Sequence, residues 1–427
     1  MTPAGWAALS GLCVTGALGV ELDQSVASQT FAVLLCLLAV AILWTPLFRA
    51  RFEVKRILPR FGSVGQPFSY RVSVRTSRAK SWHGLELFED LADPRLSREE
   101  FIEAHRLRAG DRSFRLAGAR PGAIPYRRAV FKPLRLPTIP PQGKAEASLE
   151  LLPLKRGPLR FRGVTLARRD PLDLFRAFYR VPLPQTVLIL PKRYPLSAVA
   201  LPGTHRYQQG GVAFAASVGE SEEFVSLRDY RPGDPLRHVH WRSSARAGNL
   251  VVKEFQDEFF VRHALVLDTF GRSVQAEAFE EAVSLAASFV CTVESQESLL
   301  DLMFVGQQAV CFTSGRGVAH PEQALEILAS VQLCKTKPFD SLQALVLRHA
   351  SSVSGCICIF LAWDRPRQAL AQKLAALGVP LQVLIVTDEA GRADLASRPA
   401  EGYRPEHFQV LVTGQIEGGL RTLGKAA

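Results

Sequence analysis

The chain has 427 residues, 47% of them hydrophobic, and a formal net charge of +12. That is enough apolar material for two or three folded domains, and it excludes a chain that is disordered throughout. The positive balance suits an anionic partner, but Lys and Arg also gather beside membrane spans, so placement has to decide between the two.

Residues 2–20 and 24–48 carry no charged side chain. About 20 helical residues cross the roughly 30 Å hydrocarbon layer, so both runs are long enough to span. A cleaved signal peptide is the alternative, but the start lacks a basic segment and a second apolar run follows at once. The expectation for residues 1–48 is therefore a membrane α-hairpin of two transmembrane helices. The connection from Glu21 to Gln29 holds Glu21 and Asp23 and no Lys or Arg, whereas Arg49, Arg51, Lys55, Arg56 and Arg60 crowd the exit of the second run. By the positive-inside rule that exit is cytoplasmic, which predicts a multi-pass inner-membrane protein with both termini and the bulk of the chain inside.

Over residues 49–191, short runs such as FSYRVSVR and HGLELFEDL alternate apolar and polar residues between Pro and Gly clusters, which predicts a β-sandwich. The stretch from Lys155 to Arg180 is basic but lacks the interleaved aromatics of a stacking platform, so no specific nucleic acid is expected. Attraction to the anionic headgroups of the lipid bilayer and a plain solvated strand face are the remaining readings. Residues 192–222 are rich in Pro, Gly, Gln and Ser and read as a linker. From 262 to 427, wholly apolar strand-length runs such as HALVLD and GCICIFLAW alternate with helical patterns, which predicts an α/β domain with a mostly parallel sheet. Of the seven cysteines, Cys356 and Cys358 alternate within one such run as small buried hydrophobes, and no CxxC pair occurs.

Between linker and α/β domain, residues 223–261 form the most unusual segment. From Gly219 to Phe255 six acidic residues balance six basic ones, which a nucleic-acid strap would not do. Pro232-Gly233 supplies a turn, and Tyr230, Trp241 and Phe255 offer packing anchors. Glu223, Arg228, Tyr230, Gly233, Asp234, Arg237, His240, Trp241 and Arg246 are the candidate residues of an ion-paired clasp or of a partner-docking surface.

The run EF…LR.Y.PGD..R…W…AR.G.L.V..F closely resembles the signature of the bacterial domain-of-unknown-function family number 58. RGPLRFRGVTLARRDPLDLFR resembles that family's upstream segment, with Asp173 where glycine is usual. The resemblance implies a von Willebrand factor A-like C-terminal domain with a Rossmann-like sheet. It also implies association with a MoxR-type AAA+ ATPase, and often with a membrane transglutaminase-like protein, and no catalytic activity of the chain itself.

Von Willebrand A folds often bind Mg2+ through a DxSxS loop with a Thr and an Asp. Here Asp268 is followed by Phe270 and Arg272 in place of both serines. Asp268, Thr313 and Asp364 therefore make a degenerate site in which Arg272 is expected to take the place of the cation, and no metal or other cofactor is expected. His238 and His240 have ligand-like spacing but no third ligand nearby. Asp257 and Glu258 beside His263 lack any nucleophile motif, and there is neither a phosphate-binding glycine loop nor a dinucleotide fingerprint. The expected function is a membrane-anchored, non-catalytic protein-binding adaptor acting in assembly or maturation of partner proteins. The alternatives are a metal-dependent adhesion-type receptor and an envelope enzyme.

Overall fold

A computed structural model describes residues 1–18, 25–44, 51–92, 128–196, 208–209, 223–234, 236–256, 259–271, 275–292, 298–315, 319–396 and 407–423. The chain divides into two compact units, residues 1–118 with 125–190, and residues 119–124 with 191–427.

The first unit begins with two helices, α1 (Pro3–Leu18) and α2 (Ser25–Trp44). Small residues let them approach closely, since a Cβ on Gly11 would lie 3.4 Å from Leu34 and one on Gly16 would lie 3.2 Å from Phe31. Residues Val26–Trp44 are long and apolar enough to cross a membrane, and only 11% of that stretch is buried, unlike the core helix of a soluble domain. Of the two helices expected to span, α2 is long enough by itself, while the described part of α1 has 16 residues, about 24 Å at about 1.5 Å per residue. Of the expected Glu21–Gln29 connection, residues 21–24 lie outside the described residues, and Ser25–Gln29 belong to the start of α2.

Nine strands follow: β1 (Phe52–Ile57), β2 (Phe61–Ser63), β3 (Phe68–Thr76), β4 (Leu85–Leu91), β5 (Ala129–Phe131), β6 (Leu134–Arg135), β7 (Lys144–Pro153), β8 (Gly157–Arg169) and β9 (Arg176–Leu190). They form a sheet β1-β3-β7-β5 and a second sheet β2-β9-β8-β4-β6. The alternation in β1 and β3 places Phe52, Val54, Val72 and Val74 inward, where they share one core with Leu87, Leu159, Phe161 and Leu166 of the other sheet. Arg56 belongs to this interior and not to a membrane surface. Its side chain is fully buried, its guanidinium clasps Glu89 of the opposite sheet (Nη2–Oε2 2.6 Å), and it lies 4.5 Å from the Phe161 ring centroid. Burial pushes the Glu89 carboxyl above its usual range despite Arg56. One of the five cations counted toward the positive-inside argument is thus an inter-sheet pair.

In the second unit the described residues contribute β10 (Gln208–Gln209), β11 (Glu223–Asp229), a 3-10 turn (Leu236–His238), α3 (Trp241–Ala247), β12 (Val251–Gln256), β13 (Phe259–Leu267) and α4 (Ala276–Thr292). Then come β14 (Ser298–Val305), β15 (Ala309–Ser314), α5 (Pro321–Ser330), α6 (Asp340–His349), β16 (Gly355–Phe360), α7 (Arg365–Ala376), β17 (Leu381–Thr387), α8 (Glu389–Ala396), β18 (Phe408–Val412) and α9 (Ile416–Leu423). The predicted linker is not wholly a connection: β10 pairs antiparallel with the start of β13, and the N–H of buried Tyr194 donates to the Ser288 hydroxyl of α4 at 2.7 Å.

The main sheet runs β15-β14-β13-β16-β17-β18, parallel throughout except for antiparallel β15. Every residue of β16 is buried, as a strand covered on both faces requires. Leu342, Val346, Leu370 and Leu374 of α6 and α7 pack on Cys356, Cys358, Val383 and Ile385 on one face. Helix α4, with buried Phe279, Val283 and Phe289, also lies against β13, β16 and β17. The chain winds outward from β13 to β14 and β15, then returns to β16 on its other side. The topological switch point of this Rossmann-like sheet is therefore the gap between β13 and β16.

Candidate functional site: the signature hairpin and the switch point

β11 and β12 pair antiparallel, Arg228 opposite Val252 and Asp229 opposite Val251, as a two-stranded sheet of their own. The chain between them is held by one ion pair. Arg228 forks onto Asp234 with Nη1–Oδ2 at 2.7 Å and Nη2–Oδ1 at 2.8 Å, and Asp234 also accepts the Arg231 N–H at 2.9 Å. These charge-assisted bonds, Arg228 first, hold the Asp234 carboxyl down at about 2. Gly233 makes the intervening turn at φ 109°, a left-handed backbone that a side chain would strain.

Downstream, the His240 N–H donates to the Val251 carbonyl at 2.9 Å and the Val251 N–H donates to the Ser244 hydroxyl at 2.9 Å, which ties the start of α3 to β12. His240 Nδ1 lies 2.7 Å from the Ser243 hydroxyl, and Gly248 closes the helix at φ 74°. Tyr230 is half-buried, with its N–H on the Leu250 carbonyl, and Asn249 donates to Asp229 at 2.9 Å. Of the predicted set, Arg228 and Asp234 are brought together directly and His240 serves the helix start. Glu223 lies on β11, opposite Gln256. Arg237 is exposed beside His238 (3.2 Å), and Arg246 is exposed.

Trp241 is not the buried anchor expected. It is 65% exposed, and Leu236 (64%), Leu227 (41%) and Leu250 (41%) are exposed on the same small module. Among the described side chains of the module, Val239, Val251 and Val252 take the buried apolar positions. Ser244 and Asn249 were missed because single small polar residues carry no spacing signal.

At the switch point, Asp268 ends β13 with its carboxylate inaccessible to solvent. Oδ1 accepts the Phe270 N–H at 2.8 Å, and Oδ2 accepts the Leu361 N–H at 3.0 Å and Arg367 Nε at 2.6 Å. Arg367 Nη1 reaches Asp364 at 2.6 Å, Nη2 donates to the Phe270 carbonyl at 2.7 Å, and the guanidinium lies 4.9 Å from the Phe339 ring centroid. Although burial opposes its charge, the two carboxylates raise Arg367 above its ordinary range. The cation between Asp268 and Asp364 is therefore Arg367; Arg272, expected in that place, lies outside the described residues. Pro366 just after Asp364 marks a helix start, and the Asp364 side chain caps it by accepting the Arg367 N–H at 3.3 Å. That signal could have found Arg367, three residues into the turn.

Thr313 does not join this group. β15 runs antiparallel, so Thr313 meets Asp301 (2.6 Å), which Arg262 at the opposite end of β13 also holds at 2.7 Å. Among the described residues, no group of three or more His, Cys, Asp or Glu side chains converges on one point. Asp257 and Glu258 lie outside the described residues, and His263 is buried in β13 with its basicity pushed down to about 4 by burial.

The fold and these two sites define an α/β domain with a doubly wound sheet whose switch point is closed by an internal ion-pair network, preceded by a charge-pinned hairpin module. Residues 226–386, from β11 to β17, match the family described as protein of unknown function DUF58. The Bacillus subtilis (strain 168) protein described as uncharacterized protein YeaD is 29% identical over 184 residues, which covers 43% of this chain and 44% of that protein. The chain thus spans less than half the length of that curated relative. A solved structure, AggA, the major subunit of aggregative adherence fimbriae type I from Escherichia coli, covers 33% of this chain and 95% of its own at 8% identity. Its TM-score is 0.17, and the likeness carries no argument about this fold.

Proposed function

We propose that the chain is a membrane-anchored, non-catalytic adaptor that binds other proteins through its signature module. The observation that carries this is the exposed face of that module: Trp241 and Leu236 stand in water beside Arg242 and Arg246 on a scaffold pinned by the Arg228–Asp234 fork. Exposed aromatic and Arg side chains on a rigid support have the makings of an interaction hot spot. The partner we propose is a MoxR-type AAA+ ATPase, which would supply the ATP hydrolysis for which the chain has no phosphate-binding loop. A transglutaminase-like membrane protein would be a further member of the same assembly. In this reading α1 and α2 form the anchor in the inner membrane, α2 crossing and α1 packed against it, with the bulk of the chain cytoplasmic.

The order of the sheet supports a von Willebrand factor A-like domain, but the Asp268 carboxylate already holds three donors, which weighs against a metal-dependent receptor. Affinity capture of the full chain from native membranes tests the adaptor reading. Wild type should retain an AAA+ ATPase and Trp241→Ala should lose it while remaining folded. Equal retention by both moves the docking face elsewhere, and no ATPase with either removes the proposed partner. Alkaline phosphatase fused at Ala427 should be inactive, and activity there would reverse the orientation.

A further inference from the structure

The loop between β8 and β9 is the seat of the two N-terminal helices. The Thr2 N–H and hydroxyl both donate to the Leu174 carbonyl, at 3.0 and 3.1 Å, and the hydroxyl also reaches the Asp173 carbonyl. The same hydroxyl accepts the Gly5 N–H at 3.0 Å and so caps α1. A Cβ on Gly5 would collide with the Leu174 carbonyl. Leu174 in turn packs with Leu38 and Ala41 near the far end of α2. The start of α1 and the end of α2 thus rest on one loop. Asp170 holds that loop by accepting the Leu174 and Phe175 N–H groups at 2.7 and 3.0 Å, and Asp173 completes it at φ 54°.

Directly beyond the loop, alternate residues Arg176, Phe178 and Arg180 lie on one face of β9. Phe178 is 61% exposed, and Leu172 at the loop tip is 42% exposed. Arg176 leans toward Glu86 (3.6 Å), so the exposed Arg180 is the principal cation for a partner. A phenyl ring in water between two guanidinium groups is the arrangement that rests at a headgroup layer, with the ring at acyl-chain level and the cations on lipid phosphates.

We infer that the β8–β9 loop and the adjoining outer face of β9 lie on the bilayer itself, with anionic lipid headgroups bound by Arg180 and Arg176 and the surface entered by Phe178 and Leu172. Continuity argues for this occupant, because the surface adjoins the point where a largely exposed apolar helix leaves the β-domain. The inference rests on the membrane-anchored reading above. Placed at the cytoplasmic leaflet, it would set the β-domain against the membrane rather than leaving it to swing on a tether.

The test uses the full chain in phosphatidylcholine nanodiscs with and without phosphatidylglycerol, carrying photoreactive benzoylphenylalanine at position 178, 186 or 40. Position 186 lies further along the same exposed row of β9, and position 40 is on the exposed side of α2. Position 178 should form lipid adducts well above those at 186. They should rise about fivefold with phosphatidylglycerol and fall about as much with Arg180→Glu. Adducts at 40 with none above background at 178, or adducts at 178 to protein instead of lipid, overturn this inference and leave the anchor standing. Equal yields with and without phosphatidylglycerol overturn the assignment of the headgroups. No adducts even at 40 overturn the anchor beneath it.

Discussion

Replacing Arg367 by Met removes the charge that holds the switch point closed while keeping much of the side-chain volume. Arg367 is 6% exposed and Asp268 0% exposed in their side chains, so the substitution leaves a carboxylate in the interior without its counter-charge. Breaking a buried pair in this way costs about 3–5 kcal/mol, whereas an exposed pair is worth about 0–1 kcal/mol. The Phe270 and Leu361 N–H groups still hold Asp268, which favours the lower part of that range. For a domain of this size, about 3 kcal/mol lowers Tm by roughly 6–12 °C. The assay is thermal unfolding of the full chain, with hydrogen exchange in β13 and β16 used to assign the transition to the second unit. Asp268→Asn with Arg367→Met should be less damaging than the sum of the two single changes, because the orphaned charge is gone. A melting point for Arg367→Met within about 1 °C of wild type, the size of effect an exposed pair gives, would refute the buried-network account. Neither Mg2+ nor Mn2+ should raise Tm in wild type or in Arg367→Met, since backbone donors occupy Asp268 in both.

Arg246→Ala should change stability by less than about 0.5 kcal/mol, since Arg246 is exposed, yet weaken capture of a partner; a large loss of stability would return the residue to the clasp. The Asp234 carboxyl is depressed to about 2 in the folded chain. Its contribution is therefore present above the ordinary Asp range near 4 and is lost as pH falls toward 2. Hydrogen-exchange protection of the 228–234 turn should fade across that window, and Arg228→Gln should remove the dependence. His263 has the opposite origin, a buried neutral imidazole whose pKa drops from 6.5 to about 4. Between those values the unfolded chain binds more protons, so stability is full above pH 6.5 and falls on acidification by up to about 3 kcal/mol. Denaturant titrations at several pH values should give a flatter profile for His263→Leu, and an unchanged slope would assign the loss to other groups.

The strands of the β-sandwich were legible because Phe52, Val54, Val72 and Val74 alternate with polar residues at the period of a strand that is wet on one face. The α/β domain was legible because β16 and β17 are apolar at almost every position, as burial on both faces demands. The signature was legible as a turn, with Gly233 at its left-handed position, and as a charge-balanced segment able to hold an ion pair, which Arg228 and Asp234 form.

Which charges pair was not in the sequence. Arg56 and Glu89 are 33 residues apart and meet only because two sheets face one another. Arg367 reaches Asp268 because helix α7 begins at the end of β16 and aims its first turn there, a contact 99 residues long. Thr313 was lost to the site because β15 reverses direction, and strand direction is a property of the assembled sheet. Trp241 stands 65% exposed although its residue type favours burial, so residue type alone did not reveal its place. Local pattern thus determined which segments are strands, helices and turns, since backbone periodicity acts over a few residues. The tertiary structure decided the partners of the charged groups, since side chains distant in sequence meet only where sheets and helices pack.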